Sequence, residues 1–250
     1  MARSRRDDTF ASFRTPGAQY LQPTSDTFGT LDGEDIIRAM AATGRNLRAR
    51  LLHLVSDLAA GDFGVQSFVS SSRVAIRAAY FSAYSLGAIS VFPFYTLTDR
   101  DISILDGELN EETGFLRSFG RDIVRGHLDL DPVSRSGLYL LALRGIFERG
   151  RLEAMPRGPY RWQLGATEHC IECIDTSLGG PYQLDRQSGL GLLVVPGTPG
   201  DGSVCNGLTR CGCTLKLASG IPLPNEELAS RMRGLLLEVA YGSSSVGEGT

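Results

Sequence analysis

From residue 32 to residue 155 the apolar positions recur every three or four residues, the period of helices that bury one face. Asp32 can cap the first of them, and Glu34 and Asp35 suit the positive end of its dipole. Ile36, Met40, Leu47, Leu51, Leu54 and Leu58 then form one stripe, and Gly61 can end it. The pattern predicts a second helix over about 65–92. A third is predicted over about 99–126, with Ile102, Leu105, Leu109, Leu116, Phe119 and Ile123 on one face. Pro132 is a favourable first position for a fourth, which carries Leu138, Leu141 and Phe147 and ends near Gly150. Short connections between long helices favour antiparallel packing, so residues 32–157 are expected to form a helical bundle.

The pattern changes at Met155, where a Pro- and Gly-rich cluster interrupts it. From Tyr160 to Leu217 no helical period is evident, and β-like pieces stand at 160–164, 190–195 and 214–217. A last helix is expected over about 225–241, followed by a Gly/Ser-rich tail that reads as flexible. Ahead of the bundle, Phe10, Phe13, Tyr20 and Phe28 are spread through a segment broken by Pro and Gly. Four segments follow: an extended N-terminal arm at 1–31, the bundle at 32–157, a cysteine-rich module at 158–219, and a C-terminal helix and tail at 220–250. The expected fold class is mainly α: a helical bundle, then a small irregular β-containing zinc-knuckle module and a C-terminal helix.

Composition narrows the chemistry. The net charge of −3 over 250 residues gives no global field toward nucleic acid. Lys216 is the only lysine, and it follows Leu215 rather than glycine, so no phosphate-binding P-loop is present. The N-terminal basic residues precede no apolar run, which argues against a secretory signal. Residues 78–98 carry no charge over a length that can span a bilayer. Their serines, tyrosines and Pro93 favour a helix buried in protein, and no membrane partner is expected.

All five cysteines fall between Cys170 and Cys213. Cys170 and Cys173 form a C-x2-C pair, a spacing at which a tight turn points both sulfurs at one ion. Cys205, Cys211 and Cys213 form a second group. A structural zinc takes four ligands, commonly two from each of two knuckles. The expected ligands are Cys170, Cys173, Cys205 and Cys211, with Cys213 as the alternative fourth, since it also opens an alternating strand that can face a core. His169 is read as an outer partner or a surface residue. The same cysteines would suit an iron–sulfur cluster, and reduced buried thiols are the plainest alternative. The module has few large apolar residues, so a metal would supply folding energy that its core lacks.

The run Tyr160-Arg161-Trp162-Gln163-Leu164-Gly165, continued to His169-Cys170-Ile171-Glu172-Cys173, resembles a segment of minor head proteins of tailed bacteriophages. Gly180-Pro181-Tyr182, Pro199-Gly200-Asp201-Gly202 and the closing Cys211-Gly212-Cys213-Thr214-Leu215 are similar to later parts of that segment. Phe147-Glu148-Arg149-Gly150 is like the end of the family's helical region. Gly212 stands where the family often has Arg or Lys, and the spacing from Cys205 to Cys211 is longer than in the family. The resemblance covers about 60 residues. It implies a non-enzymatic virion structural protein, located in the head or neck and assembled in the host cytoplasm. Its partners would be capsid, portal or connector subunits in a symmetric multi-copy assembly, with packaged DNA as a further candidate partner.

Two other classes compete. A zinc-knuckle nucleic-acid binder would use Trp162 and Tyr160 for stacking, with Arg157, Arg161, Arg186 and Arg210 for charge. Acidic residues around the same knuckle cancel that charge. An enzyme finds little support. His53 lies on the apolar side of the first helix, and His127 ends the third. Glu168 and Glu172 would be bases only for an open zinc site, and neither H-E-x-x-H nor Gly-x-Ser-x-Gly occurs.

Overall fold

A computed structural model describes residues 32–126, 131–155, 158–165, 169–184, 191–197, 213–220 and 228–241. Among these the chain is mainly helical, with a small mixed sheet. Helix α1 (Gly33–Ala60) begins where Asp32 accepts the Asp35 backbone N–H at 2.7 Å. It ends at Gly61, whose φ of 83° is the left-handed conformation that glycine tolerates best. Its predicted stripe is buried. His53 is exposed instead and lies 3.2 Å from Asp57, on the polar side of the helix.

Helix α2 (Val65–Val91) is the one helix among the described residues long and apolar enough to cross a bilayer, by length and composition alone. It packs against α1, α3 (Asp99–Arg125) and α4 (Pro132–Ala154). Helix α6 (Leu228–Tyr241) packs on α1 and α4. One apolar cluster links all five, including Leu51, Phe68, Ile76, Phe119, Phe147 and Leu236.

Helix α4 does not end near Gly150 but continues to Ala154. Gly150 is a packing glycine, not a stop. A Cβ there would stand 2.0 Å from the Tyr84 carbonyl oxygen, and one at Gly87 would stand 1.9 Å from that of Phe147. The two glycines let the backbones of α2 and α4 touch. Leu138 is exposed, while Arg144, Glu148 and Arg151 are buried on the same helix. Arg151 donates to Ser90 Oγ at 3.1 Å and sits 3.8 Å from Glu148. A helix surrounded by neighbours needs no single apolar face, which blurs its period.

The start of α3 holds a polar knot absent from the expected stripe. Ile102 is only half-buried, and Asp101 beside it is 1% exposed. Asp101 accepts from the Thr98 backbone N–H at 2.7 Å, from Thr98 Oγ1 at 2.8 Å and from the Tyr95 hydroxyl at 3.0 Å. Tyr84 donates to it as well. Thr98 returns the bond to the Asp101 N–H, completing a capping box. Burial pushes the carboxyl pKa up, but the Tyr84, Thr98 and Tyr95 bonds outweigh it and hold the pKa below the ordinary aspartate value. A group with a depressed folded pKa stabilises above its unfolded pKa, and that stability fades as pH falls through the folded value. Asp101→Asn should therefore cost about 2 kcal/mol at pH 7, the scale of hydrogen bonds to a charged acceptor. The gap from wild type should narrow below about pH 4, near the free aspartate pKa. Urea titrations at pH 7 and pH 3 check both parts.

The described strands are short. β1 (Tyr160–Gln163) buries Tyr160 and Trp162 and exposes Arg161 and Gln163. β2 (Tyr182–Gln183) and β4 (Thr214–Leu217) flank it antiparallel, and β3 (Leu193–Val194) joins β2 parallel. The order is β3-β2-β1-β4. A helix that the sequence pattern did not reveal, α5 (Ile171–Gly179), packs on β1.

Candidate metal centre

β1 alternates strictly, so Tyr160 and Trp162 face one side together and lie 0% and 2% exposed. Opposite them on β4 stand Leu217 and Leu215. Together with Leu152, Met155, Tyr182, Cys173 and Cys213 these residues form a second apolar cluster, with Cys170 packed against it. Three of the five cysteines thus lie at one small core. Cys205 and Cys211 lie outside the described residues, as do Glu168, His127, Arg157, Arg186 and Arg210.

The first knuckle is the start of a helix rather than an isolated turn. Cys170 is the N-cap of α5, and its carbonyl accepts the Cys173 and Ile174 N–H groups at 3.1 and 3.2 Å. This places both cysteines at the positive end of the helix, which favours thiolate over thiol. Cys173 is fully buried and Cys170 half-buried. The far end of α5 is pinned by Tyr182, whose hydroxyl donates to the Thr176 carbonyl at 2.7 Å.

Cys213 leads into β4 and is 1% exposed. Its Sγ lies 3.5 Å from His169 Nδ1, and His169 Nε2 lies 3.0 Å from the Gly165 carbonyl oxygen. Spacing alone left His169 at the periphery. Its position one residue before Cys170 was the only signal that it belongs here.

Among the described residues no three His, Cys, Asp or Glu side chains gather around one point. Cys170, Cys173 and Cys213 therefore do not form a three-ligand cage by themselves. The core does fit a thiolate centre in one respect. The Trp162 Nε1–H is buried and has no hydrogen-bond partner among the described residues. A buried indole N–H left unpaired costs about 1–3 kcal/mol, and a metal-bound thiolate is an acceptor for it.

Burial also bears on the competing chemistries. Trp162 and Tyr160 offer no free ring face for a base to stack on. Cys213, though beside an imidazole, is closed to any substrate by its burial. Burial raises the phenol pKa of Tyr160 to about 12, so it stays neutral at physiological pH. In comparisons with protein families, curated proteins and solved structures, the chain matches no family model, no curated protein and no solved structure.

Proposed function

We propose that this chain is a structural protein of a phage virion, a minor head protein working beside portal, capsid or connector subunits. Its helical bundle makes the contacts, and a zinc ion held by Cys170, Cys173, Cys205 and Cys211, with Cys213 as the alternative fourth ligand, fixes the knuckle module. The observation that carries this reading is the joining of the C-x2-C pair, Cys213 and Trp162 in one small core. Tyr160, Trp162, Cys173, Tyr182 and Cys213 of that core are among the residues on which the resemblance to minor head proteins rests. Exposed apolar side chains supply contact surface. Phe92 and Phe94 meet edge-on at 6.2 Å, and both are at least half exposed. Ile171, Leu178 and Leu193 are exposed on the module. Apolar groups left in water on this scale suit a subunit that buries them on neighbours.

The test is location. Antibody raised against the purified chain, applied as immunogold to phage particles released from a producing host, should label heads or necks at a fixed position. Particles that carry no label, with the chain found only in the soluble lysate, would contradict a virion role. A DNA-contacting role would show instead as binding by the purified chain that weakens steeply with salt.

A further inference from the structure

Between residues 36 and 56, helix α1 carries Arg38, Arg45, Arg48, Arg50 and His53, and no acid. Arg38, Ala42, Arg45 and Ala49 recur at spacings of four, three and four, so they share one face, opposite the buried Met40, Leu47 and Leu51. Arg38, Arg45 and Ala49 are exposed, and Ala42 is half-buried. Arg38 pairs with Asp35 on its own helix. Arg45, Arg48 and Arg50 have no ion-pair partner among the described residues. Helix α3 is the reverse. Between residues 101 and 116 it carries Asp101, Asp106, Glu108, Glu111 and Glu112, and no base. Asp106 pairs with Arg77, and Glu112 accepts from the Tyr80 hydroxyl. Glu108, Glu111 and Phe115 follow at spacings of three and four, share one face and are exposed, Phe115 by 67%. Glu111 has no ion-pair partner among the described residues. Burial pushes the Glu112 pKa up; the Tyr80 bond opposes the rise, and the charges of Glu108 and Glu111 add to it. These acids repel one another, and a cation docked among them relieves that repulsion.

We propose that the arginine face of α1 in one copy of this chain docks on the Glu108–Glu111–Phe115 face of α3 in a second copy. The two faces complement each other in charge and in relief. Phe115 supplies an apolar centre, Ala42 and Ala49 leave room for it between the arginines, and the charged groups form the rim. Nucleic acid would cover the α1 face alone and leave the α3 acids facing water, and the net charge of −3 does not draw a polyanion in. A second copy satisfies both faces. Because each copy offers two different patches, the contact is head-to-tail and repeats from copy to copy, closing a ring where the rotation allows it. It needs neither the virion role nor a metal.

The experiment is sedimentation velocity on the full chain at micromolar concentration. Wild type should associate at low salt and fall apart at about 1 M salt, where the screening length is about 3 Å. Arg45→Glu and Glu111→Arg should each weaken association at least about tenfold, because each sets like charges against one another across the contact. Arg45→Glu combined with Glu111→Arg in one chain should regain most of the loss, since the pair is restored with its signs exchanged. Arg45→Ala and Glu111→Ala, the milder changes, should weaken association in the same direction and by less. All these side chains are exposed, so the far-ultraviolet helical signal should stay that of wild type. A wild-type chain that stays monomeric at low salt would overturn the contact. So would association indifferent to both single reversals, or a double reversal no better than either single one. Duplex DNA bound by a monomeric wild type and lost in Arg45→Glu would assign the α1 face to a polyanion and overturn it too.

Discussion

Gly150→Ala is expected to destabilise the helical body by at least about 3 kcal/mol, the upper range for overpacking a well-filled core. The added methyl would stand 2.0 Å from the Tyr84 carbonyl oxygen, 2.8 Å from the Tyr84 carbonyl carbon and 3.0 Å from its Cα. These are backbone atoms of a helix, so no rotamer change can make room. Helices α2 and α4 would have to separate. Separation would loosen Phe147 and Tyr84 in the core, and the Arg151–Ser90 bond with them. For a chain of this size the loss corresponds to a Tm lower by about 6–12 °C. Gly87→Ala should behave alike, since its Cβ would meet Phe147 O at 1.9 Å. Gly114, inside α3 with nothing within 4 Å of its notional Cβ, is the control. Alanine there should stabilise by about 0.5–1 kcal/mol, because glycine is the poorer helix former. Thermal unfolding followed by circular dichroism decides the matter. A Gly150→Ala protein melting within about 3 °C of wild type, on the same scale, would refute the close crossing.

Cys173→Ser is expected to abolish stoichiometric zinc binding and to unfold the small second core while α1–α4 remain folded. Cys173 is fully buried, and it shares its cluster with Trp162, Cys213 and Leu215. A hydroxyl there is a poor zinc ligand and brings a polar group into an apolar site. Structural zinc supplies about 10–16 kcal/mol of apparent binding energy in small domains, so loss of one ligand removes a large part of what would hold this module. Cys170→Ser should act in the same way. The chain has a single tryptophan, Trp162, so its emission reports on the second core alone. In Cys173→Ser the emission should shift to the red, and the far-ultraviolet helical signal should fall only slightly. A Cys173→Ser chain with wild-type zinc content and emission would exclude Cys173 as a ligand.

The long helices were legible because their apolar spacing and end residues agree: Asp32 opens α1, Gly61 closes it, and Pro132 stands first in α4. The exceptions have physical causes. Gly150 looks like a terminator in one dimension, but its lack of a side chain serves a backbone crossing. Asp101 is charged and so reads as solvent-facing, yet two tyrosine hydroxyls and Thr98 satisfy it inside the core. Helix α5 escaped notice because it has only nine residues and its apolar spacing faces outward. Ile171, Ile174 and Leu178 are exposed, while Cys173 and Thr176 point inward.

At the candidate centre the cysteines were legible as residue types at ligand spacing. Their sharing a core with Trp162 was not, because it depends on β4 pairing with β1 across about fifty residues. The His169–Cys213 approach depends on that same pairing. Cys205 and Cys211 rest on their spacing alone, since they lie outside the described residues.

The central claim is that a metal ion holds the cysteine module together. The direct measurement is zinc per chain on protein purified without added metal, with Trp162 emission recorded before and after chelation. The account predicts about one zinc per chain and a red shift when the ion is removed, as expected for a structural four-ligand site. A folded chain that contains no metal, with five titratable thiols and a Trp162 emission indifferent to chelator, would contradict it.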